Sequence, residues 1–190
     1  MYVLRSILLF ACLPLLFSFE PLKPRFEIEI IQDEESMDIE EETVTLKKAP
    51  FSIRVKAYEM EGVFMNASFE SNLFDLGKDG KIPDFAFMPS KTMSEESENT
   101  DKDLILSNGY YSYLGYNLQD NPPFNRFNRV EEGPGFYTGY LDVEKFYEKE
   151  KGEDLAIKKC KKDLFLFFVA TTPDHKTEIA RYRVKITWAK

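Results

Sequence analysis

The chain reads as a mainly β protein: an antiparallel two-sheet β-sandwich of immunoglobulin-like architecture, with one or two short helices before a C-terminal hairpin. Three observations predict it. Apolar and polar side chains alternate with a period of two in four stretches, which suits strands that are dry on one face and wet on the other. Turn formers separate those stretches. A further stretch, "LFLFFVA" from Leu164 to Ala170, is apolar throughout, as befits a central strand covered on both faces. The Cys–Trp–Cys signature is absent, so the architecture is implied and membership of the immunoglobulin family is not.

Residues 1–18 have the parts of a signal peptide. Arg5 supplies the positive charge, Ser6 to Phe17 the apolar run, and Ser18 a small residue at its end. The run is too short to span a bilayer, which takes ~20 apolar residues, and Pro14 interrupts it. The expectation is an exported protein, periplasmic, cell-surface or secreted, with one domain over 19–190 and no transmembrane segment in the mature chain. An alternative reading takes "LFAC" as a lipoprotein motif, with Cys12 as the lipid anchor.

In the first strand, "FEIEII", Phe26, Ile28 and Ile30 face one way and Glu27 and Glu29 the other. "DEESMDIEEE" reads as a solvated charge run, and Thr43 to Leu46 as a short strand. "FSIRVKAYEM" sets Phe51, Ile53, Val55 and Ala57 against Ser52, Arg54, Lys56 and Tyr58. "VFMNASF" continues with Val63, Met65, Ala67 and Phe69 on the apolar face. Asn66 opens an "NAS" glycosylation sequon and falls on the polar face, where a glycan would fit in a eukaryotic host.

"NLFDLGKDGKIPDF" offers Asp75, Asp79 and Asp84 as metal ligands. Counted as an EF-hand loop from Asp75, Asp79 and Gly80 fit positions 5 and 6, but Gly77, Pro83 and Ala86 at 3, 9 and 12 offer no side-chain oxygen. The stretch reads as an acidic turn; no cofactor is expected, calcium being the one candidate. Residues 93–103 read as a mobile acidic loop.

"DLILSNGYYSYLGY" predicts a hairpin turning at Asn108-Gly109. Its Tyr110, Leu114 and Tyr116 suit the core, leaving Tyr111 and Tyr113 beside Gly115 as a flat platform for a sugar ring or a peptide. The long loop "NPPFNRFNRVEEGPG" follows, where Phe124, Arg126, Phe127 and Arg129 form a second candidate recognition patch or plug the open end of the sandwich. "DVEKFYEKEKG" has Val143, Phe146 and Tyr147 at helical spacing, with Asp142 as N-cap and Gly152 as stop. "EDLAIKKCKK" predicts a second short helical turn. Its lysines would activate Cys160, unless the thiol is buried and idle. After "LFLFFVA", the loop "TTPDHKT" leads to "ARYRVKITW", with Tyr182, Val184, Ile186 and Trp188 inward and Arg181, Arg183, Lys185 and Thr187 outward.

With 25 Lys and Arg against 33 Asp and Glu, the net charge of −8 repels phosphate backbones and anionic lipid surfaces, so nucleic acid is a poor partner. Catalysis by a nucleophile–histidine pair would depend on His175 alone, which sits in a turn signal. The reading is therefore a non-catalytic binding domain for a protein or a glycan. A carboxylate-dependent hydrolase and a structural envelope protein are the alternatives.

Overall fold

The computed structural model describes residues 25–60, 62–71, 74–75, 104–107, 127–148, 150–171 and 178–189. They are mainly β. The strands are β1 (Arg25–Gln32), β2 (Glu35–Met37), β3 (Thr43–Leu46), β4 (Phe51–Tyr58), β5 (Gly62–Ser68) and β6 (Leu104–Ser107). There follow β7 (Asn128–Gly133), β8 (Phe136–Val143), β9 (Lys145–Glu148), β10 (Glu153–Ala156), a 3-10 turn (Ile157–Lys159), β11 (Leu164–Thr171) and β12 (Glu178–Trp188).

Where the alternation predicts two sheets, the described strands pair into three, in the orders β2-β1-β4-β8-β7, β10-β9-β6 and β3-β12-β11-β5. All their pairings are antiparallel except that of β3 with β12. The three-stranded sheet arises at Glu144, the single residue between β8 and β9. Here the predicted helix is corrected. Val143 and Phe146 are both buried, but on successive strands either side of a corner, and Gly152, at φ +69°, turns β9 back into β10. Spacing of three apolar positions over a corner mimics a helical face. The second predicted helical turn survives only as the three residues Ile157–Lys159.

One buried cluster draws on all three sheets, with Ile30, Ile53 and Leu141 from the first, Leu106 and Phe146 from the second, and Leu166, Phe168 and Val184 from the third. The alternating face of β4 and the all-apolar β11 behave as predicted, with Phe51, Ile53, Val55 and Ala57 buried; on β12 Val184 and Ile186 are buried, but Tyr182, expected inward, is 37 % exposed. Phe167 and Val169, on the far face of β11, are buried too. A pin crosses between sheets where the Val63 N–H donates to the Tyr137 hydroxyl at 2.9 Å.

Two polar-face expectations fail. Asn66 is only 4 % exposed, so its side chain is not displayed for a glycan as the alternation implies. Arg183 is 8 % exposed, because its guanidinium is enclosed by partners: Nε and Nη2 donate to the Glu42 carboxylate and Nη1 to the Phe74 carbonyl at 2.7 Å, with the Phe74 ring 4.6 Å away. β-Period patterning locates the two faces of a strand but not what later covers the polar one.

Candidate binding face

The five-stranded sheet turns its second face outward, and the strand register fixes the order of side chains across it. One row runs Arg25, Tyr58, Phe136, Gly133; the next Glu27, Lys56, Thr138, Glu131; the third Glu29, Arg54, Tyr140. A fourth brings Ser52 beside Asp142, with the hydroxyl donating at 2.6 Å. Directly opposed residues on one face of a sheet lie close enough to interact as pairs.

The first row is aromatic and cationic. The Arg25 guanidinium lies 4.6 Å over the Tyr58 ring, a cation–π arrangement. Phe136 lies across Gly133, so close that a β-carbon on the glycine would collide with the ring. Pro134 and Gly135 (φ +75°) close this hairpin in the manner of a type II turn, which needs glycine at its second central position. Phe136 remains 37 % exposed.

In the third row Arg54 is ion-paired to Glu29 and donates from Nη1 to the Tyr140 hydroxyl at 3.0 Å. Its Nε–H is buried and has no hydrogen-bond partner among the described residues. At the edge, a bulge between Arg129 and Glu131 leaves Val130 outside the ladder and 62 % exposed. A bulge with charged neighbours discourages edge-to-edge pairing, so it protects this sheet as well as displaying the valine. The face thus combines flat rings, guanidinium groups and hydroxyls, the groups that stack on a sugar or peptide and hydrogen-bond its edges.

The residues singled out in the sequence fare differently. Tyr111, Tyr113, Phe124, Arg126, Asp79 and Asp84 lie outside the described residues, as do His175, residues 1–18 and the loop 93–103. Phe127 is half-buried and stacks on core Phe168, ring centroids 6.5 Å apart. Arg129 enters β7 opposite Gly139. Asp75 is exposed, on a helical turn where its N–H donates to the Ser71 carbonyl at 2.7 Å. Among the described residues no three His, Cys, Asp or Glu side chains are grouped to hold a metal ion, and no helix is long and apolar enough to cross a membrane.

Cys160 takes the idle reading. It is 1 % exposed, its S–H donates to the Lys162 carbonyl at 3.2 Å, and burial pushes the thiol up against the opposing pull of that hydrogen bond, Lys48 and Trp188. Desolvation outweighs nearby lysines because they remain in water, where their field is screened. The outward face of β1, β4 and β8 was within reach of sequence reading: Arg54 and Tyr58 stand on the polar side of an alternating strand. Their alignment with Tyr140 and Phe136 depends on register, which periodicity does not carry. No family model matches this chain, and a search of curated proteins returns no match.

Proposed function

We propose that the chain is an exported, non-catalytic binding domain of immunoglobulin-like sandwich architecture, whose ligand is a protein or a glycan at the cell surface or in the periplasm. The observation that carries the reading is the row Arg25, Tyr58, Phe136 together with Arg54 and Tyr140, two rows further along the outward face of the five-stranded sheet. Aromatic and arginine side chains on a rigid sheet offer a large contact area at small entropic cost. A core shared by the five- and four-stranded sheets supports the sandwich, and residues 1–18 support export.

Glycan and peptide arrays probed with the purified protein test the reading. A retained ligand should be lost in the double variant Tyr58→Ala, Phe136→Ala and in Arg54→Ala. Arg54→Ala strips an ion pair whose side chains are only a quarter exposed and should cost about 1–3 kcal/mol of stability, so the circular dichroism of each variant is recorded before its binding is assayed. Turnover of a glycoside or ester that persists in these variants and is abolished by replacing a pair of carboxylates overturns the binding reading. Mass spectrometry of the mature N-terminus tests export and separates cleavage after Ser18 from lipidation at Cys12.

A further inference from the structure

One end of the molecule carries a charge opposite to that of the whole chain. In the segment Ile157–Lys162, Ile157 and Cys160 are buried and Lys158, Lys159, Lys161 and Lys162 are exposed. The cause is the 3-10 geometry, in which positions three apart fall on the same side; two apolar anchors facing inward send the lysines outward. The loop after β3 joins them. Lys48 is exposed and near enough to Cys160 to act on its thiol. Trp188 ties the two segments: its Nε1–H donates to the Lys162 carbonyl at 2.8 Å, and the next residue, Ala189, donates its N–H to the Leu46 carbonyl at 2.8 Å.

Three of the nearby acids are engaged elsewhere, whereas Glu35, exposed near Lys47, makes no ion pair among the described residues. Asp33 pairs with Lys47 at 2.7 Å, Asp163 with Lys185 at 2.9 Å, and Glu148 with Lys151 at 2.5 Å. Lys48, Lys158, Lys159, Lys161 and Lys162 make no ion pair among the described residues. The acidic turn Glu40–Glu42 lies at the other end of β3, about 13 Å of strand away and beyond the ~10 Å over which charges act at 0.1 M salt. The net charge of −8 is therefore a poor guide to what this end attracts.

We infer that this lysine-rich end docks on the anionic phospholipid headgroups of a bilayer surface. Lysines are hydrated point charges on flexible stems, suited to a diffuse layer of headgroups rather than to the fixed fork geometry of a specific anion site. A half-buried tryptophan stands among them, a residue favoured at the level of headgroups. Each lysine near such a surface contributes roughly a fivefold gain in partition. The inference does not depend on the outward face of the five-stranded sheet, which belongs to other strands.

The test is sedimentation of the full chain with phosphatidylcholine vesicles, with and without phosphatidylserine. The apolar run in residues 1–18 would act on both vesicle types, so the difference between them isolates the charge. Binding should be at least about tenfold stronger with phosphatidylserine, fall with added salt, and be lost in Lys158→Gln, Lys159→Gln, Lys161→Gln, Lys162→Gln, whose exposed side chains leave the melting temperature intact. Trp188 is the only tryptophan in the chain, so its emission should shift on docking in the wild type. Equal binding to both vesicle types, or a phosphatidylserine preference unchanged in the variant, overturns the inference. Retention on heparin or an oligonucleotide without sedimentation on anionic vesicles overturns the bilayer as partner.

Discussion

Asp33, Glu34, Glu41, Glu42 and Glu59 all hold φ angles between 46° and 65°, a region that L side chains other than Asn and Asp rarely enter. Asp33 and Glu34 form the two-residue turn between paired Gln32 and Glu35, and Glu41 and Glu42 the turn between Glu40 and Thr43. Two consecutive positive φ values mark type I′ turns, which ordinarily take Asn-Gly. A run of acids thus hides two hairpins, and the turn chemistry that would have betrayed them is missing. Glu34→Gly should therefore raise the unfolding free energy by about 1 kcal/mol in urea titrations. The parallel change Glu42→Gly should lower it by about 2 kcal/mol, since it strips the carboxylate from buried Arg183. A second prediction concerns Cys160, whose thiol burial holds protonated in the fold. Above its ordinary value of 9.0 the unfolded chain releases this proton while the folded chain keeps it. The stabilisation is complete below that pH and disappears as pH rises through the folded value. Wild-type stability should fall more steeply than that of Cys160→Ala above about pH 9, with parallel profiles below it.

Among the elements, β4, β11 and β12 were legible because each buries a face whose chemistry differs sharply from its opposite, or buries both. β9 was not, since its one fully buried side chain, Phe146, sits just past a corner and borrows a helical spacing from Val143. The parallel pairing of β3 with β12 was equally hidden: it joins Val44 to Ile186 and Leu46 to Trp188, contacts that local pattern cannot encode. What fixes the loop from β3 to β4 is a single side chain. Gln32 is 4 % exposed; its Nε2 donates to the carbonyls of Lys47, Ala49 and Pro50 at 3.1, 3.2 and 3.3 Å, and its Oε1 accepts from the Lys47 N–H at 2.8 Å. This clasp joins β1 to the loop as a strand would, without being one. Gln32→Ala takes this partner from the Lys47 N–H and from the Ala49 and Pro50 carbonyls, while the Lys47 carbonyl keeps the Ala49 N–H, and should cost about 2 kcal/mol in chemical denaturation. Hydrogen exchange at the Lys47 amide should accelerate by more than at β11 amides, because the loop opens locally before the sheet does.

At the scale of the molecule, only part of the candidate face could be read in advance. Tyr58 and Arg54 are visible on a wet strand face, whereas Phe136 and Tyr140 come from a segment whose glycines and prolines announce turns rather than strands. The same holds for cohesion. Three sheets could fold as three units, yet Trp188 touches all of them: it ends β12, its ring centroid lies 6.4 Å from that of Phe51 on β4, and 6.3 Å from that of Phe146 on β9. Phe69 packs edge-on against Phe146 at 5.5 Å and carries the contact back toward β5. Each sheet alone would leave its apolar face wet, and burying those faces is what opposes the entropy of ordering the chain. Unfolding should therefore be all-or-none. The midpoint from Trp188 fluorescence, which reports the junction, should coincide with that from far-UV circular dichroism, which reports strands everywhere. Truncation at the junction by Phe146→Ala, which removes a fully buried ring, should move both midpoints together by the equivalent of about 3–5 kcal/mol. An early fluorescence change with the dichroism intact would mean that the three-stranded sheet detaches first, and the single shared core would have to be abandoned.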